Sequence, residues 1–429
     1  MSYIADLHIH SPFAQACSPQ LTIDNLALWA GYKGIDLLGT GDCLHPEWLK
    51  QIKLKLHDRG DGIHYLKEAD QLTKSTGFIL TTEVACIYSQ SGKLRRIHLL
   101  VLLPSIQAAE KLSENLILRK AKLASDGRPV LGMSVVDFCD ITFSSCPKAI
   151  VIPAHIWTPW FGMYGDKGGF DFFAECFGNF SSQIFAVETG ISSDPQMNWR
   201  VPDLDGKSIV SFSDPHSLAR LGREVTEFAG HLSYDELYDD LQNQNIVSTT
   251  EFFPEEGKYH YSGHRKCNMV RSPEEVNKYG EECPVCHKGL TIGVAQRIEE
   301  LATRSIESLE LFEENGLTKS KAFSKRPGYR SLVQLEEVIA LSLGVSVASK
   351  KVPQLYQQMV TTIGPELDIL TRIPLDMVGM AGGPAVVEVI QAIRQGKISI
   401  EPGFDGVYGK VSLTDEAEDA ARQQLKLIQ

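Results

Sequence analysis

Tyr3-Ile4-Ala5-Asp6-Leu7-His8-Ile9-His10 has the pattern of a β-strand that ends in polar side chains. Because side chains alternate between the two faces of a strand, His8 and His10 point the same way and can bind one cation. Similar apolar stretches recur through the first 250 residues, and amphipathic stretches such as Leu21–Tyr32 and Ser105–Leu123 lie between them. This alternation predicts an α/β fold, either a parallel barrel or a layered sheet. The other strand candidates are Gly34–Leu38, Phe78–Glu83, Ile97–Leu103, Ala149–Pro153, Ile184–Val187 and Ser208–Phe212.

The alternation of strands and helices is interrupted at two places. The short stretch Ser89–Lys93 joins the third and fourth strand candidates, which predicts a hairpin. Near Pro254–Lys258 the pattern ends, a compact Cys/His segment follows, and the remainder has helical periodicity. We therefore predict a barrel over residues 1–257, a zinc-binding module over 258–293 and a helical domain over 294–429. The candidate helices of that last domain are Val294–Arg304, Leu332–Leu343, Val352–Ile363, Ala385–Arg394 and Asp415–Leu425.

Length and composition are those of a soluble protein with two or three domains: 429 residues, 43% hydrophobic and 22% charged. No apolar run is long enough to cross a bilayer, and no basic region precedes an apolar stretch near Met1. We therefore expect a cytoplasmic protein without a signal peptide or membrane contact. The nine mostly scattered cysteines fit a reducing compartment. The net charge of -12 argues weakly against a phosphate-rich partner, although bound divalent cations would offset part of it.

Polar residues at the predicted strand boundaries form a candidate ligand set. The eight candidates are His8, His10, Asp42, Glu83, His98, His155, Asp214 and His216. Glu188 ends a further predicted strand. Catalytic groups of α/β barrels lie at the carboxyl ends of the strands, so we expect these side chains to converge. A mixture of imidazoles and carboxylates suits zinc, manganese or iron better than magnesium. The set has more members than one ion needs, so we predict two or three divalent metals (Zn, Mn or Mg) that share a carboxylate. Such neighbouring cations can activate a water molecule for attack on a phosphoester.

Taken in order, the motifs resemble those of the polymerase and histidinol phosphatase (PHP) superfamily. The matching elements are His8-Ile9-His10, Thr40-Gly41-Asp42, Glu83, His98, His155 and Asp214-Pro215-His216. The resemblance implies a distorted (β/α)7 barrel with three metals. For the first metal it implies the ligands His8, His10, Glu83 and Asp214. It further implies that Glu83 bridges to a second metal held by His98 and His155, and that His216 serves the third. The superfamily often has histidine at Asp42 and near Cys17, where this chain differs.

The stretch Pro254–His260, the Cys/His segment and the helical tail extend the resemblance to endonuclease Q, a DNA repair family within this superfamily. That family nicks DNA on the 5′ side of deaminated bases (uracil, hypoxanthine, xanthine) and of abasic sites. The resemblance implies damaged DNA as the partner and a nucleoid-associated location. It is also compatible with other repair or replication proteins as partners. The segment Glu188–Pro195 is also characteristic. Within it Asp194 is a candidate catalytic acid or base, with a structural turn before Pro195 as the alternative.

A second metal site is predicted in the Cys/His segment. His264 and Cys267 have the spacing of a ligand pair, and Cys283-Pro284-Val285-Cys286 has the spacing of a zinc knuckle. Four such ligands leave no open coordination position, so we expect one structural zinc that holds a domain too small for its own core. Either His260 or His287 could replace His264. A redox role for the cysteine pair is the alternative, but no thioredoxin-like pattern adjoins it.

Three further segments are candidate substrate contacts. Residues 319–330 carry five positive charges, no negative charge and two aromatic side chains, so they could follow a phosphate backbone or stack a base. The candidates there are Lys319, Lys321, Lys325, Arg326, Tyr329 and Arg330. A solvated basic loop is the alternative. Gly379–Pro384 could hold a phosphate or simply begin a helix. Pro159–Gly165, directly after His155, could wall a pocket for an extruded nucleotide or pack in the core.

The ligand set predicts a metal-dependent phosphodiesterase, and the resemblance to endonuclease Q implies that it cuts DNA 5′ to a deaminated base or abasic site. The expected ends are a 3′-hydroxyl and a 5′-phosphate. One alternative is a small-molecule phosphatase with the same metals, but such a substrate needs no additional domains. The other is a non-catalytic DNA-binding protein with a degenerate barrel, which the near-complete ligand set opposes.

Overall fold

The first strand of the sequence lies inside a large mixed sheet in the computed structural model, which describes residues 2–69 and 76–414. The described strands are β1 (Ser2–Asp6), β2 (Leu37–Gly39), β3 (Leu56–Asp58), β4 (His64–Leu66), β5 (Gly77–Gln90), β6 (Lys93–Leu103), β7 (Val130–Leu131), β8 (Ile150–Pro153), β9 (Ala186–Glu188), β10 (Ser208–Val210), β11 (Val225–Ala229), β12 (Ile246–Glu251), β13 (Ser262–His264), β14 (Met269–Arg271), β15 (Leu311–Glu314), β16 (Leu317–Ser320), β17 (Gly328–Ser331), β18 (Ile398–Glu401) and β19 (Lys410–Leu413). The described helices are α1 (Ile23–Lys33), α2 (Pro46–Lys55), α3 (Ile106–Leu118), α4 (Val135–Ser145), α5 (Phe173–Phe177), α6 (Pro195–Trp199), α7 (Tyr234–Asn243), α8 (Pro273–Tyr279), α9 (Val294–Leu301), α10 (Leu335–Leu343), α11 (Lys351–Thr362), α12 (Glu366–Thr371), α13 (Leu375–Gly382) and α14 (Pro384–Arg394).

The strands of the first 250 residues bring their polar ends to one place. Strand β1 pairs in parallel with β2, and β2 pairs in parallel with β5. Strands β9 and β10 form a separate parallel pair. Backbone bonds from Asp214 N to His8 O (2.9 Å) and from Ile156 N to Glu188 O (3.1 Å) connect that pair to the ends of β1 and β8. The mixed α/β class is therefore confirmed, and the seven-stranded barrel stays a prediction.

The predicted hairpin is present as β5 and β6. Gln90 lies opposite Lys93, and the two residues between them, Ser91 and Gly92, have φ angles of 52° and 76°. Two positive φ angles are the mark of the type I′ turn that suits the twist of paired strands. The prediction that Glu83 and His98 lie at strand boundaries was wrong. Both lie inside the hairpin strands, because the antiparallel ladder continues past them to the turn.

Most predicted helices are present with ends shifted by no more than three residues, whereas α3 ends five residues before the predicted Leu123. The caps of α1 show how such ends are fixed. Thr22 caps its N-terminus by accepting a hydrogen bond from Asn25 N, and Gly34 ends it in a left-handed conformation with φ of 84°. The short helices α12 and α13 were not predicted. The candidate helix Asp415–Leu425 lies outside the described residues.

The C-terminal part contains helices, as predicted, but it is not wholly helical. Strands β15 to β17 extend the main sheet, with β17 parallel to β12, and β18 and β19 form a hairpin of their own. Helices α10 to α14 bury a separate apolar cluster, and Trp29 of α1 stacks on Tyr356 of α11 with ring centroids 5.7 Å apart. Among the described residues, no helix combines the length and apolarity that crossing a membrane requires.

Candidate metal centre

Seven of the eight predicted barrel ligands come together in three overlapping groups, whose members each offer a ligand atom within 4.8 Å of the others. The groups are His8, His10 and Glu83; His10, Asp214 and His216; and Glu83, His98 and His155. His8 and His10 converge because they follow β1 two residues apart, and the bond from Asp214 N to His8 O brings Asp214 to them. The groups share His10 and Glu83, so cations bound there would be neighbours.

Several buried polar atoms in this cluster lack a hydrogen-bond partner among the described residues. They are His8 Nε2, His10 Nε2 and Asp214 Oδ1. Asp214 Oδ1 lies 3.0 Å from His10 Nε2 and 3.8 Å from His8 Nε2. Leaving a buried polar atom unsatisfied costs about 1–3 kcal/mol, and a bound cation would satisfy all three atoms. The residues present therefore fit a divalent metal.

Asp42, the eighth predicted ligand, has a different position. Its Oδ1 lies 3.1 Å from His10 Nδ1, and its Oδ2 accepts hydrogen bonds of 2.6 Å from both N and Oγ of Ser11. Asp42 belongs to none of the three groups, and its contact with His10 Nδ1 would hold that ring in place. Its role as a metal ligand stays a prediction. Glu188 holds His8 in the same way, with its Oε1 2.9 Å from His8 Nδ1. Such carboxylate partners fix the ring so that Nε2 points to a metal.

Glu83 lies at the centre of the cluster. Its Oε1 is 2.6 Å from His98 Nδ1 and 3.3 Å from His155 Nε2, while its Oε2 is 3.4 Å from His10 Nε2. One carboxylate oxygen thus faces each side, which is the geometry of a bridging ligand. Arg128, which sequence analysis missed, also contacts it, with Nη1 3.2 Å from Glu83 Oε2. Residues 126–129 carry no strand pattern that would have singled Arg128 out.

The charges of the cluster are strongly coupled. Burial raises the pKa of Glu83, but His98, His8 and the other imidazoles outweigh it and lower the pKa well below its usual value. Burial likewise lowers the pKa of His8, yet the carboxylates led by Glu188 raise it well above the usual value. Burial dominates at His98 and lowers its pKa to about 4. Ionised carboxylates and a neutral His98 are forms that bind cations.

The backbone is strained where it presents these ligands. Asp42, His155 and Asp214 have φ angles of 45°, 32° and 42°, a region that residues other than glycine seldom adopt. Such strain clusters at functional sites. Gly190, with φ of 60°, packs so closely that an added Cβ would lie 2.4 Å from His155 Cβ. Only glycine therefore fits behind His155.

The predicted zinc ligands also come together. The side chains of His264, Cys267, Cys283 and Cys286 offer ligand atoms within 4.8 Å of one another. The hairpin of β13 and β14 positions His264, whose Nδ1 is 3.3 Å from Cys286 Sγ. His287 instead contacts Glu282 at 2.7 Å. The geometry favours His264 over His260 and His287, and the set of sulfur and nitrogen atoms suits zinc.

Asp194 caps helix α6 and belongs to none of the metal groups. Its Oδ1 accepts a 2.8 Å hydrogen bond from Met197 N, and burial raises its pKa to about 7. It lines a cavity of about 790 Å³ together with Tyr329 and Arg330. The capping contact fits the structural turn before Pro195 that was given as the alternative, and the catalytic role of Asp194 stays a prediction.

The basic segment is partly built into the sheet as β16 and β17, not an open loop. Tyr329 is 5% exposed and packs edge-on against Trp199, so it is not available to stack a base. Arg326 donates to Leu204 O (2.8 Å) and Lys207 O (3.2 Å), and Lys319 pairs with Glu314. Of the remaining candidates, Lys321 and Lys325 are exposed and Arg330 is half-buried.

An apolar cavity of about 290 Å³ adjoins the cluster. It is lined by His98 and His155 and by Trp160, Phe161, Lys258 and Tyr259 among others. The rings of Phe161 and His98 have centroids 4.2 Å apart, and those of Trp160 and Tyr259 are 5.2 Å apart. The segment after His155 therefore does form a wall beside the metal ligands. The other candidate, Gly379–Pro384, contains the end of α13 and the start of α14.

Comparison with known proteins extends these observations. Residues 334–397 match the family model of the MJ0043 C-terminal domain. The chain is 30% identical to the protein MJ0043 of Methanocaldococcus jannaschii over 278 residues, which are 63% of this chain and 33% of that protein. It is 27% identical to YqxK of Bacillus subtilis over 95% of this chain and 98% of that one. The chain thus spans about a third of the first relative and nearly all of the second.

Two solved structures have the same fold along the whole chain. The lesion-specific endonuclease PfuEndoQ of Pyrococcus furiosus has a TM-score of 0.82 and 28% identity, with 100% of both chains covered. A complex of endonuclease Q with a 27-mer duplex, which has an abasic lesion at the active site, has a TM-score of 0.83 and 28% identity, covering 97% of this chain and 98% of that one. The full-length agreement in fold confirms the resemblance to the endonuclease Q family that the sequence motifs indicate.

Proposed function

We propose that this protein is a metal-dependent DNA endonuclease that cuts the phosphodiester 5′ to deaminated bases and abasic sites and so initiates repair. The observation that carries the proposal is the convergence of His8, His10, Glu83 and Asp214 with unsatisfied ligand atoms. The similarity to an endonuclease Q captured on an abasic duplex supports DNA as the substrate. We also propose the PHP-type barrel, the division at residues 257 and 293, and a nucleoid-associated location.

The side chains of the cluster would hold and orient the divalent cations. Divalent cations, when bound, supply a water of lowered pKa and offset the charge of the phosphodiester. His8 and His10 would hold them, with Glu188 and Asp42 fixing the two rings. Glu83 and Asp214 would complete the ligand set, and Asp214 is the most open of the barrel carboxylates, with its side chain 25% exposed. The four-ligand cluster around Cys283 would hold one zinc in a purely structural role.

The cavity beside His98 and His155 is the proposed receptor for an extruded nucleotide. Its volume of about 290 Å³ and its aromatic walls suit a flat base or the sugar of an abasic site. Extrusion costs less where pairing is already weak, which favours damaged positions over normal ones. Of the basic candidates, Lys321 and Lys325 are exposed and free to meet a phosphate backbone.

The experiment uses end-labelled duplexes with one uracil, hypoxanthine, xanthine or abasic site, or no lesion, incubated with manganese or magnesium. We expect one nick 5′ to each lesion and none in the undamaged duplex. His8→Ala should abolish nicking, since it removes a ligand that faces two carboxylates. His57→Ala changes an exposed histidine of β3 and should leave nicking intact.

If no lesion directs a cut while a phosphomonoester is hydrolysed, the protein is a small-molecule phosphatase and the proposal is wrong. If the His8→Ala protein nicks as fast as the unaltered protein, the catalytic role of the cluster is wrong.

A further inference from the structure

Arg128 is a positively charged side chain beside the candidate metal centre. It belongs to none of the sequence motifs, and it cannot be a metal ligand. Its Nη1 lies 3.2 Å from Glu83 Oε2, and 23% of its side chain is exposed whereas that of Glu83 is fully buried. The guanidinium therefore covers the buried carboxylate on the solvent side. Its charge also faces Asp214, because both carboxylates help to raise the pKa of Arg128 against the effect of burial.

Two loops hold Arg128 in this position, and we name residues 11–15 and 126–128 the lip. Asp126 Oδ1 accepts hydrogen bonds of 3.1 Å from both Arg128 N and Gln15 N, and Gly127 N donates to Phe13 O at 3.0 Å. Ser11 ties the lip to Asp42, the carboxylate that orients His10. A Cβ on Gly127 would lie 2.4 Å from Asp42 Oδ2, so the loop needs glycine to approach this closely.

Most hydrogen-bonding capacity of Arg128 is unused. A guanidinium has five N–H donors, and among the described residues its side chain makes one hydrogen bond, to Glu83. The remaining donors lie at the partly exposed end of the side chain, above the cluster. A planar fork of this kind matches two oxygens of a phosphate, and it stays charged at any pH the protein tolerates.

We propose that Arg128 binds the non-bridging oxygens of the phosphate that is cut. The inference rests on the proposed function and adds a substrate contact to it. Arg128 lies in the lip, 3.2 Å from a carboxylate of the candidate metal centre, so it is in reach of a phosphate bound there. The guanidinium would offset negative charge on the phosphate as the transition state forms, and Glu83 would hold the cations.

The first test compares nicking of an abasic duplex by the unaltered protein, Arg128→Ala, Arg128→Lys and Arg59→Ala. Loss of one such preorganised donor costs about 100-fold in turnover, and we expect this for Arg128→Ala with unchanged metal content. Arg128→Lys should recover only part of the rate, because lysine lacks the fork. Arg59→Ala removes an exposed arginine that packs on Tyr65, and it should have no effect.

A second test separates a phosphate contact from support of the lip. In an Asp214→Asn background, which blocks cutting, binding is measured for abasic duplexes with a phosphate or a neutral methylphosphonate at the cleavage position. We expect the methylphosphonate to weaken binding by about tenfold with Arg128 present and to have much less effect with Arg128→Ala. Equal losses in both proteins, or full nicking activity of Arg128→Ala, would overturn the inference while the proposed function stands. Absence of nicking by the unaltered protein would overturn both.

Discussion

Glu188 and Asp42 contact the Nδ1 atoms of His8 and His10, and changing either carboxylate tests whether it orients a metal-binding imidazole. Asp42→Asn and Glu188→Gln keep the shape of each side chain but weaken its hold on an imidazole Nδ1. Losses of 10- to 100-fold in metal affinity are typical of such changes, and we expect losses of about that size for each variant. Titration of the metal-free protein with zinc or manganese measures the affinity. Glu175→Gln, which alters an exposed carboxylate, is the control. Unaltered affinity in both test variants would contradict the orienting role.

Glu251 is a buried carboxyl group whose ionisation should make the stability of the fold depend on pH. It is fully buried, and burial raises its pKa from 4.5 to about 8 although Ser211, Thr249 and Thr189 donate hydrogen bonds to it. A carboxyl group with a raised pKa stabilises the fold below pH 4.5, and that contribution is lost as the pH rises through about 8. We therefore expect the free energy of unfolding to fall between these values.

Glu251→Gln should flatten this fall, because a neutral amide replaces the group that must ionise. Denaturant unfolding at pH 5 and pH 9 measures the difference, and the variant should gain stability relative to the unaltered protein at the higher pH. Glu175→Gln is the matched surface control. An equal pH dependence in the Glu251→Gln protein would show that this carboxyl does not titrate in the window.

At the scale of elements, the segment after β18 clamps the zinc module. Asp405 accepts hydrogen bonds from Arg265 N and Thr291 Oγ1, both at 2.7 Å, so one carboxylate joins the two regions. Tyr261 N donates to Gly403 O, which adds a backbone bond. We expect that removal of zinc by a chelator unfolds residues 258–293 and releases this clamp, since the module lacks a core of its own.

Hydrogen exchange measures the release, with faster exchange expected at residues 258–293 and 403–409 and little change in β1 or β5. Asp405→Ala should accelerate exchange in both segments with zinc present, while Asp376→Ala on α13 should not. Protection that survives chelation would show that the fold of the module does not depend on a metal.

The elements that sequence predicted well are those whose pattern is local. The alternation of β1, the helix predicted over Leu21–Tyr32 and the turn predicted at Ser89–Lys93 each need only neighbouring residues. The prediction was wrong where pairing partners decide the outcome. The segment containing Tyr329 becomes a strand because β12 lies beside it, and Glu83 is internal because β6 continues the ladder. In the site, ligand identity followed from residue type, whereas the contact of Arg128 depends on a loop that no periodicity marks.

At the scale of the whole molecule, a buried ion pair connects the two halves of the chain. Lys33 at the end of α1 places Nζ 2.5 Å from Glu366 Oε2 on α12, with side-chain exposures of 1% and 5%. Lys33 also donates to Ala219 O, and Glu366 accepts from Leu335 N. No sequence pattern links residues so far apart. The pair therefore sets how the C-terminal helices sit on the first half of the molecule.

Removing one partner of this pair should be costly. Lys33→Met leaves an uncompensated buried carboxylate, which destabilises folded proteins by about 3–5 kcal/mol. Lys33→Met with Glu366→Gln removes both charges and keeps an acceptor for Leu335 N, so it should recover most of that loss. Lys50→Met breaks an exposed pair with Glu47 and should cost no more than about 1 kcal/mol. Denaturant unfolding of the four proteins gives these differences. If the single and double variants lose equal stability, the contact of the lysine ammonium with the rings of Trp29 and Tyr356, and not its pairing with Glu366, holds the two halves together.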